Sequence, residues 1–130
     1  MDINQISRFV ISFSWIYHGL FPKILWVAPL EKQMTAGFGF SEEISYLITK
    51  SAGISEILFG IVFFIFYRSK FLNYLNIVGL IGLLGFVALL NPYLLIEAFN
   101  PITTNLPLIA FSLVLLINTQ TNTEKTQNLE

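Results

Sequence analysis

A lysine, a glycine and a glutamate stand three residues apart, Lys50, Gly53 and Glu56, in a stretch otherwise dominated by isoleucine, leucine and phenylalanine. On a helix each is turned by about 60° from the last, so the three share one sector of the surface. A second apolar stretch carries Trp15, His18, Gly19 and Lys23. Trp15, Gly19 and Lys23 recur every four residues along one flank, and Ser14, His18 and Pro22 follow on the next. The chemistry open to these groups is ion pairing, hydrogen bonding and proton transfer. Glu56 is expected to pair with Lys23 or His18, and Lys50 to be answered by Glu97 or by outer-loop acids such as Glu42. Asn91, Glu97, Asn100 and Asn105 add further polar groups near the end of the chain.

Other chemistries are excluded by what is missing. There is no cysteine, which removes disulfides, thiolate nucleophiles, Cys-ligated zinc and iron–sulfur clusters, and leaves the redox compartment unreadable. A single histidine without a cysteine gives no metal site. Seven basic residues are spread singly against eight acidic ones, for a net charge of -1, so no basic stripe exists to neutralise a phosphate backbone, and nucleic acid is not a partner. No nucleotide-binding loop, serine elbow or internal repeat is present. No cofactor is legible.

The elements that must position these residues follow from composition. Of 130 residues 55% are hydrophobic and only 12% charged, with a mean hydropathy of +0.70, whereas an ordinary soluble domain is roughly 25% charged. Four apolar blocks, at about 9–27, 44–67, 71–90 and 102–117, each approach the roughly 20 residues that cross a bilayer. The expected fold is all-α: a four-transmembrane-helix bundle over 1–118, with a polar tail over 119–130 too hydrophilic to offset the entropy of ordering. The first block is read as a span and not as a cleaved signal, because the N-terminus has no basic cluster and no small-residue cleavage site follows. Asn91-Pro92 marks a break at or inside the third helix.

Four spans place both termini on one side. Arg8, Arg68, Lys70 and Lys125 fall on that side and only Lys32 lies clearly opposite, which predicts cytoplasmic termini. The outer connection from Leu25 to Glu43 holds a short interfacial helix beginning near Pro29. A flexible aromatic piece, Thr35 to Phe40, follows it, and Ser41-Glu42-Glu43 reads as a helix start.

In this register the costly residues gather in the central and outer bundle, and the inner halves of the spans read as hydrocarbon. Dry inner halves disfavour a proton-coupled transporter, which needs water access from both sides. A charge at the centre of a membrane helix costs roughly 2.5 to 3.5 kcal/mol to insert, so Lys50 and Glu56 must face the bundle interior or a wet cavity. One reading makes the charged pair a device that only fixes helix register, and another lets the lysines snorkel to the interface. The functional reading is an outer-facing polar pocket: Lys23 and Glu56 hold it, His18 and Asn100 supply hydrogen bonds, Trp15 forms an aromatic wall, and Lys50, Glu97 and Asn105 contribute polar groups. Gly53, Gly60, Gly79, Gly82 and Gly85 are expected to let neighbouring backbones approach closely. A competing reading makes Glu56 and His18 an acid/base pair of a small membrane enzyme acting on an apolar substrate.

The runs Trp15-Ile16-Tyr17-His18-Gly19-Leu20-Phe21-Pro22-Lys23, Gly53-Ile54-Ser55-Glu56 and Glu97-Ala98-Phe99-Asn100-Pro101-Ile102-Thr103-Thr104-Asn105-Leu106 resemble the DoxX-like family of small bacterial four-helix membrane proteins. The similarity extends to about Asn118. The resemblance implies a compact four-helix bundle in the bacterial inner (cytoplasmic) membrane. It also implies an association with a quinone or with a membrane redox partner, while the polar pocket read from the residues is expected to take a lipid-like or quinone-like molecule or a partner membrane subunit. Without cysteine the chain cannot share the thiol chemistry of dithiol-type relatives, and the resemblance names neither the ligand nor the oligomeric state.

Overall fold

The computed structural model describes the backbone of residues 1–127 and side chains as far as residue 121. Those residues form five α-helices and no strand: α1 Ile3–Gly19, α2 Pro29–Ala36, α3 Glu42–Phe66, α4 Lys70–Leu90 and α5 Pro101–Gln127. A π-helical segment, Leu20–Leu25, continues α1, and a 3-10 turn, Pro92–Leu95, follows α4. Three stretches, Glu42–Phe66, Lys70–Leu90 and Pro101–Thr121, are long and apolar enough to cross a membrane. The expected first span differs from these: its α-helix has 17 residues, starts at Ile3, and gives way to the π segment.

Local chemistry explains most boundaries. Asp2 Oδ1 accepts the Gln5 amide at 2.8 Å to open α1, Ser41 Oγ accepts Ile44 N–H at 3.3 Å for α3, and Ser69 Oγ accepts Leu72 N–H at 3.4 Å for α4. Asn100 opens α5, its Oδ1 taking Thr103 N–H at 3.1 Å. Asn91 ends α4 with φ -150° and ψ 75°, ahead of Pro92, so the Asn-Pro break terminates α4 and does not kink it. Gly39 turns the chain between α2 and α3 at φ +74°, a conformation a glycine adopts without penalty. α5 continues past Ile117 to Gln127, so the polar segment expected to fray is helical over 119–127; 128–130 lie outside the described residues.

The chain divides into two compact units, each with its own interior. The unit formed by Met1–Ile11 and Phe63–Glu130 holds the apolar core: Ile11, Phe63, Tyr67, Leu80, Val87, Leu94, Leu108, Leu115 and Leu116. Polar side chains are buried among them. Asn76 Nδ2 donates to Ser112 Oγ at 2.8 Å between α4 and α5, and Asn73 Nδ2 donates to the carbonyls of Tyr67 and Ser69. Arg8 Nε donates to the Phe64 carbonyl at 2.7 Å, its guanidinium 3.8 Å from the centre of the Phe64 ring. Asn118 donates to Asn4 at 2.7 Å. Ser7, Asn73, Asn76 and Ser112 are buried in this unit, so its interior holds polar side chains where the sequence reading expected hydrocarbon.

The second unit, Ser12–Val62, has a different interior. Its buried residues are Ser12, Gly19, Lys23, Ser45, Thr49, Gly53 and Gly60, with no large apolar side chain among them. The large apolar side chains of α3, such as Leu47, Ile54 and Leu58, are exposed instead. Small and polar groups inside with apolar groups outside is the arrangement a hydrocarbon solvent favours, since close backbone packing and hydrogen bonding replace the hydrophobic effect there.

Candidate functional site: the Lys23–Glu56 pair

One face of α3 carries Ser45, Thr49, Gly53, Glu56 and Gly60, at intervals of three and four residues. Within the Ser12–Val62 unit this face meets the end of α1 and the π segment. A Cβ placed on Gly53 would lie 2.7 Å from the Gly19 carbonyl oxygen and 2.9 Å from Lys23 Cβ; one on Gly60 would lie 2.7 Å from Ile16 Cγ1 and 2.8 Å from the Ser12 carbonyl. Glycine is thus required where the two backbones touch, as expected for Gly53 and Gly60. Gly79, Gly82 and Gly85 do not share this role: a Cβ on any of them meets nothing within 4 Å. Their three-residue spacing drifts round α4 onto an open side.

The π segment arises at Pro22. Proline has no N–H to return to the preceding turn, and the helix widens instead of continuing in α register. Trp26 N–H bonds the Phe21 carbonyl at 3.0 Å and Ala28 N–H the Pro22 carbonyl at 2.9 Å, five and six residues back. Lys23 is buried on the widened turn, beside the glycine contact.

Lys23 Nζ lies 2.5 Å from Glu56 Oε1 and 3.5 Å from Glu31 Oε1. Side-chain exposure is 10% for Lys23 and 12% for Glu56, against 24% for Glu31, so the first pair is the desolvated one. Of the two partners the sequence offered Glu56, the structure selects Lys23; His18 is exposed and makes no hydrogen bond to Glu56. No direct hydrogen bond between His18 and Glu56 supports the acid/base reading. Glu56 Oε2 is buried and has no hydrogen-bond donor. Lys50, expected to meet Glu97 or Glu42, donates instead to the main-chain carbonyl of Ile24, with its ammonium 5.1 Å from the Tyr46 ring centre. The two lysines thus cross in opposite directions, Lys23 toward α3 and Lys50 back to the π segment.

The remaining candidates have other surroundings. Trp15 packs edge-on against Phe59, ring centres 5.0 Å apart, in the same unit as the ion pair. Glu97, Asn100 and Asn105 belong to the other unit. Both ends of the Asn100 amide are used within its own turn, since Nδ2 donates to the Glu97 carbonyl at 2.7 Å while Oδ1 caps α5; it is a capping residue and not a free donor for a pocket. Glu97 is exposed, and Asn105 is buried with Nδ2 3.5 Å from the Leu80 carbonyl. Among the described residues no group of three His, Asp or Glu side chains is placed to hold a metal.

Two contributors escaped the sequence reading. Glu31 joins Lys23 because Pro29 starts α2 and sets Glu31 in its first turn, and no periodicity links positions 23 and 31. The Ile24 carbonyl is a main-chain acceptor freed at the end of a π turn, which no side-chain pattern records.

Helices of this length and apolarity, with charge and small residues turned inward, define a polytopic integral membrane protein. The DoxX-like family model matches residues 12–113, and the chain belongs to that family. No curated protein and no solved structure matches it.

Proposed function

We propose that this protein is an accessory or ligand-binding subunit of the bacterial cytoplasmic membrane. In this reading it crosses the bilayer four times, with both termini in the cytoplasm. α1 and its π-helical continuation, 17 and 6 residues, together supply the first span, and α2 lies at the outer interface. Its binding site is the polar interior around Lys23, Glu56, Glu31 and Lys50. A lipid-like or quinone-like molecule, or a partner membrane subunit, presents a polar group there while its apolar body stays among the exposed hydrocarbon side chains.

The observation that supports this reading is Glu56 Oε2, a buried carboxylate oxygen with no donor beside an ion pair already costly to bury. A purely structural pair gains most when every lone pair is satisfied. Here one acceptor is left for something else to fill.

Native mass spectrometry of protein gently extracted from its own membrane tests the proposal, with Lys23→Ala and Glu56→Ala beside the wild type. A lipid, quinone or protein retained by the wild type and lost in both variants is the expected result. A folded protein that is empty in all three cases returns the cluster to a structural role. The orientation has its own test: single cysteines introduced at Ser69 and Ala36 label from the cytoplasmic and outer sides respectively, and the reverse pattern defeats it.

A further inference from the structure

We infer that the ligand of this site is a neutral amphiphile whose hydroxyl group donates a hydrogen bond to Glu56 Oε2; the inference rests on the ligand-binding reading above and specifies its chemistry. The argument begins with which groups are already used. Lys23 gives its ammonium to Glu56 Oε1 and Glu31, and Lys50 gives its own to the Ile24 carbonyl. Glu56 Oε2 is left buried without a donor, and a carboxylate oxygen only accepts; the other unpartnered buried polar atom described in this unit is Ser12 Oγ, a hydroxyl on α1. A ligand that offers only carbonyl or ether oxygens would set acceptor against acceptor, while a hydroxyl completes the coordination of Glu56.

Charge decides between the remaining donors. Lys23 and Lys50 bring two positive charges, Glu31 and Glu56 two negative, so the cluster is balanced as it stands. An ammonium ligand would leave an uncompensated positive charge in a poorly solvated interior, and an anionic headgroup would be repelled by the very oxygen that lacks a partner. A neutral hydroxyl satisfies the acceptor without altering the sum. The remainder of the molecule is apolar, because the side chains that α3 turns outward around this level, Ile54 and Leu58, are 54% and 57% exposed.

The test compares a matched pair of probes, 4-dodecylphenol and its methyl ether 4-dodecylanisole, titrated into the full-length protein in nanodiscs. A hydrogen bond to a charged acceptor contributes about 1.5 to 3 kcal/mol, so the phenol should bind at least about tenfold tighter than the ether. The preference is measured relative to Glu56→Met, in which partitioning into the lipid is unchanged and the acceptor is gone. Should that variant fail to fold, the wild type alone decides by infrared spectroscopy: the carboxylate stretch of Glu56 shifts with the phenol and stays fixed with the ether. Equal binding of the two probes with no infrared shift overturns the hydroxyl assignment and leaves the ligand-binding reading standing. Failure of both probes to bind, with an empty protein from native membranes, overturns both.

Discussion

Gly19 and Gly53 each occupy the space that a side chain on the other would need: a Cβ on Gly53 would sit 2.7 Å from the Gly19 carbonyl oxygen, and one on Gly19 would strike the carbonyl of Gly53. The obstructing atoms are main chain, which cannot rotate aside as a side chain can. This reciprocal contact holds the backbones close enough for Lys23 to reach Glu56 and for Lys50 to reach the Ile24 carbonyl. Backbone proximity and the two lysine bonds are one construction.

Gly53→Ala should therefore destabilise the protein by about 1 to 3 kcal/mol, the usual cost of overfilling a packed contact. Gly82→Ala, where a Cβ meets nothing within 4 Å, should be neutral or stabilising by up to about 1 kcal/mol through helix propensity. Thermal unfolding in one detergent, with both variants side by side, reads the contrast. Equal effects at the two positions would mean that the contact does not govern stability.

Removing one member of the buried pair should cost about 3 to 5 kcal/mol, because it strands the other charge. Lys23→Met and Glu56→Met are expected to be severe singly, and the double variant to recover a large part of the loss. Glu31→Gln should cost under about 1 kcal/mol, its carboxylate being more exposed and 3.5 Å from the ammonium. A double-mutant cycle by chemical denaturation checks this order. Additive losses at Lys23 and Glu56 would show that the two side chains act independently.

Lys50→Met should cost about 1 to 3 kcal/mol, since the Ile24 carbonyl is left without its side-chain donor. Glu42→Gln should cost nearly nothing, although sequence alone nominated Glu42 as a partner. Hydrogen exchange at the amides of Trp26, which closes a π turn, and Ala28, which bonds the Pro22 carbonyl just beyond it, should accelerate in the lysine variant. Protection there that survives Lys50→Met would detach the lysine from the integrity of the π segment.

Sequence reading went furthest where hydrophobic length and helix chemistry act locally. The three long helices, the start at Ser41, a break at Asn91-Pro92 and the polar face of α3 are all written in residue type and spacing, whereas the cap at Ser69 was not read and the structure decides that the break is a stop. The pairing of Lys23 with Glu56 was one of two options and needed the π turn at Pro22 to decide it. Glu31 and the Ile24 carbonyl were invisible, because one depends on the angle at which α2 enters and the other is a main-chain atom. Asn100 was misread for a related reason: an asparagine before a proline and two threonines is a cap in a turn, and its amide is consumed locally. Gly79, Gly82 and Gly85 show that spacing alone does not choose which side of a helix is covered.

Asn73 and Asn76 were also legible and passed over, three residues apart near the start of an apolar helix whose one charge is its first residue, Lys70. Each is now seen to be no more than 1% exposed. Asn76 donates to Ser112 across the α4–α5 contact, and apolar solvent offers no competing partner for either group. Coupling between such polar pairs in membrane proteins is modest, averaging about 0.6 kcal/mol with a maximum near 1.7 kcal/mol, because the unfolded helices in a bilayer also find partners. Asn76→Leu and Ser112→Ala should therefore each destabilise the protein, and the cycle built with the double variant should return a coupling of about 0.5 to 2 kcal/mol. The measurement is unfolding in mixed micelles. A coupling indistinguishable from zero would assign the stability of α4 against α5 to the surrounding Leu80, Leu108 and Leu115 packing alone.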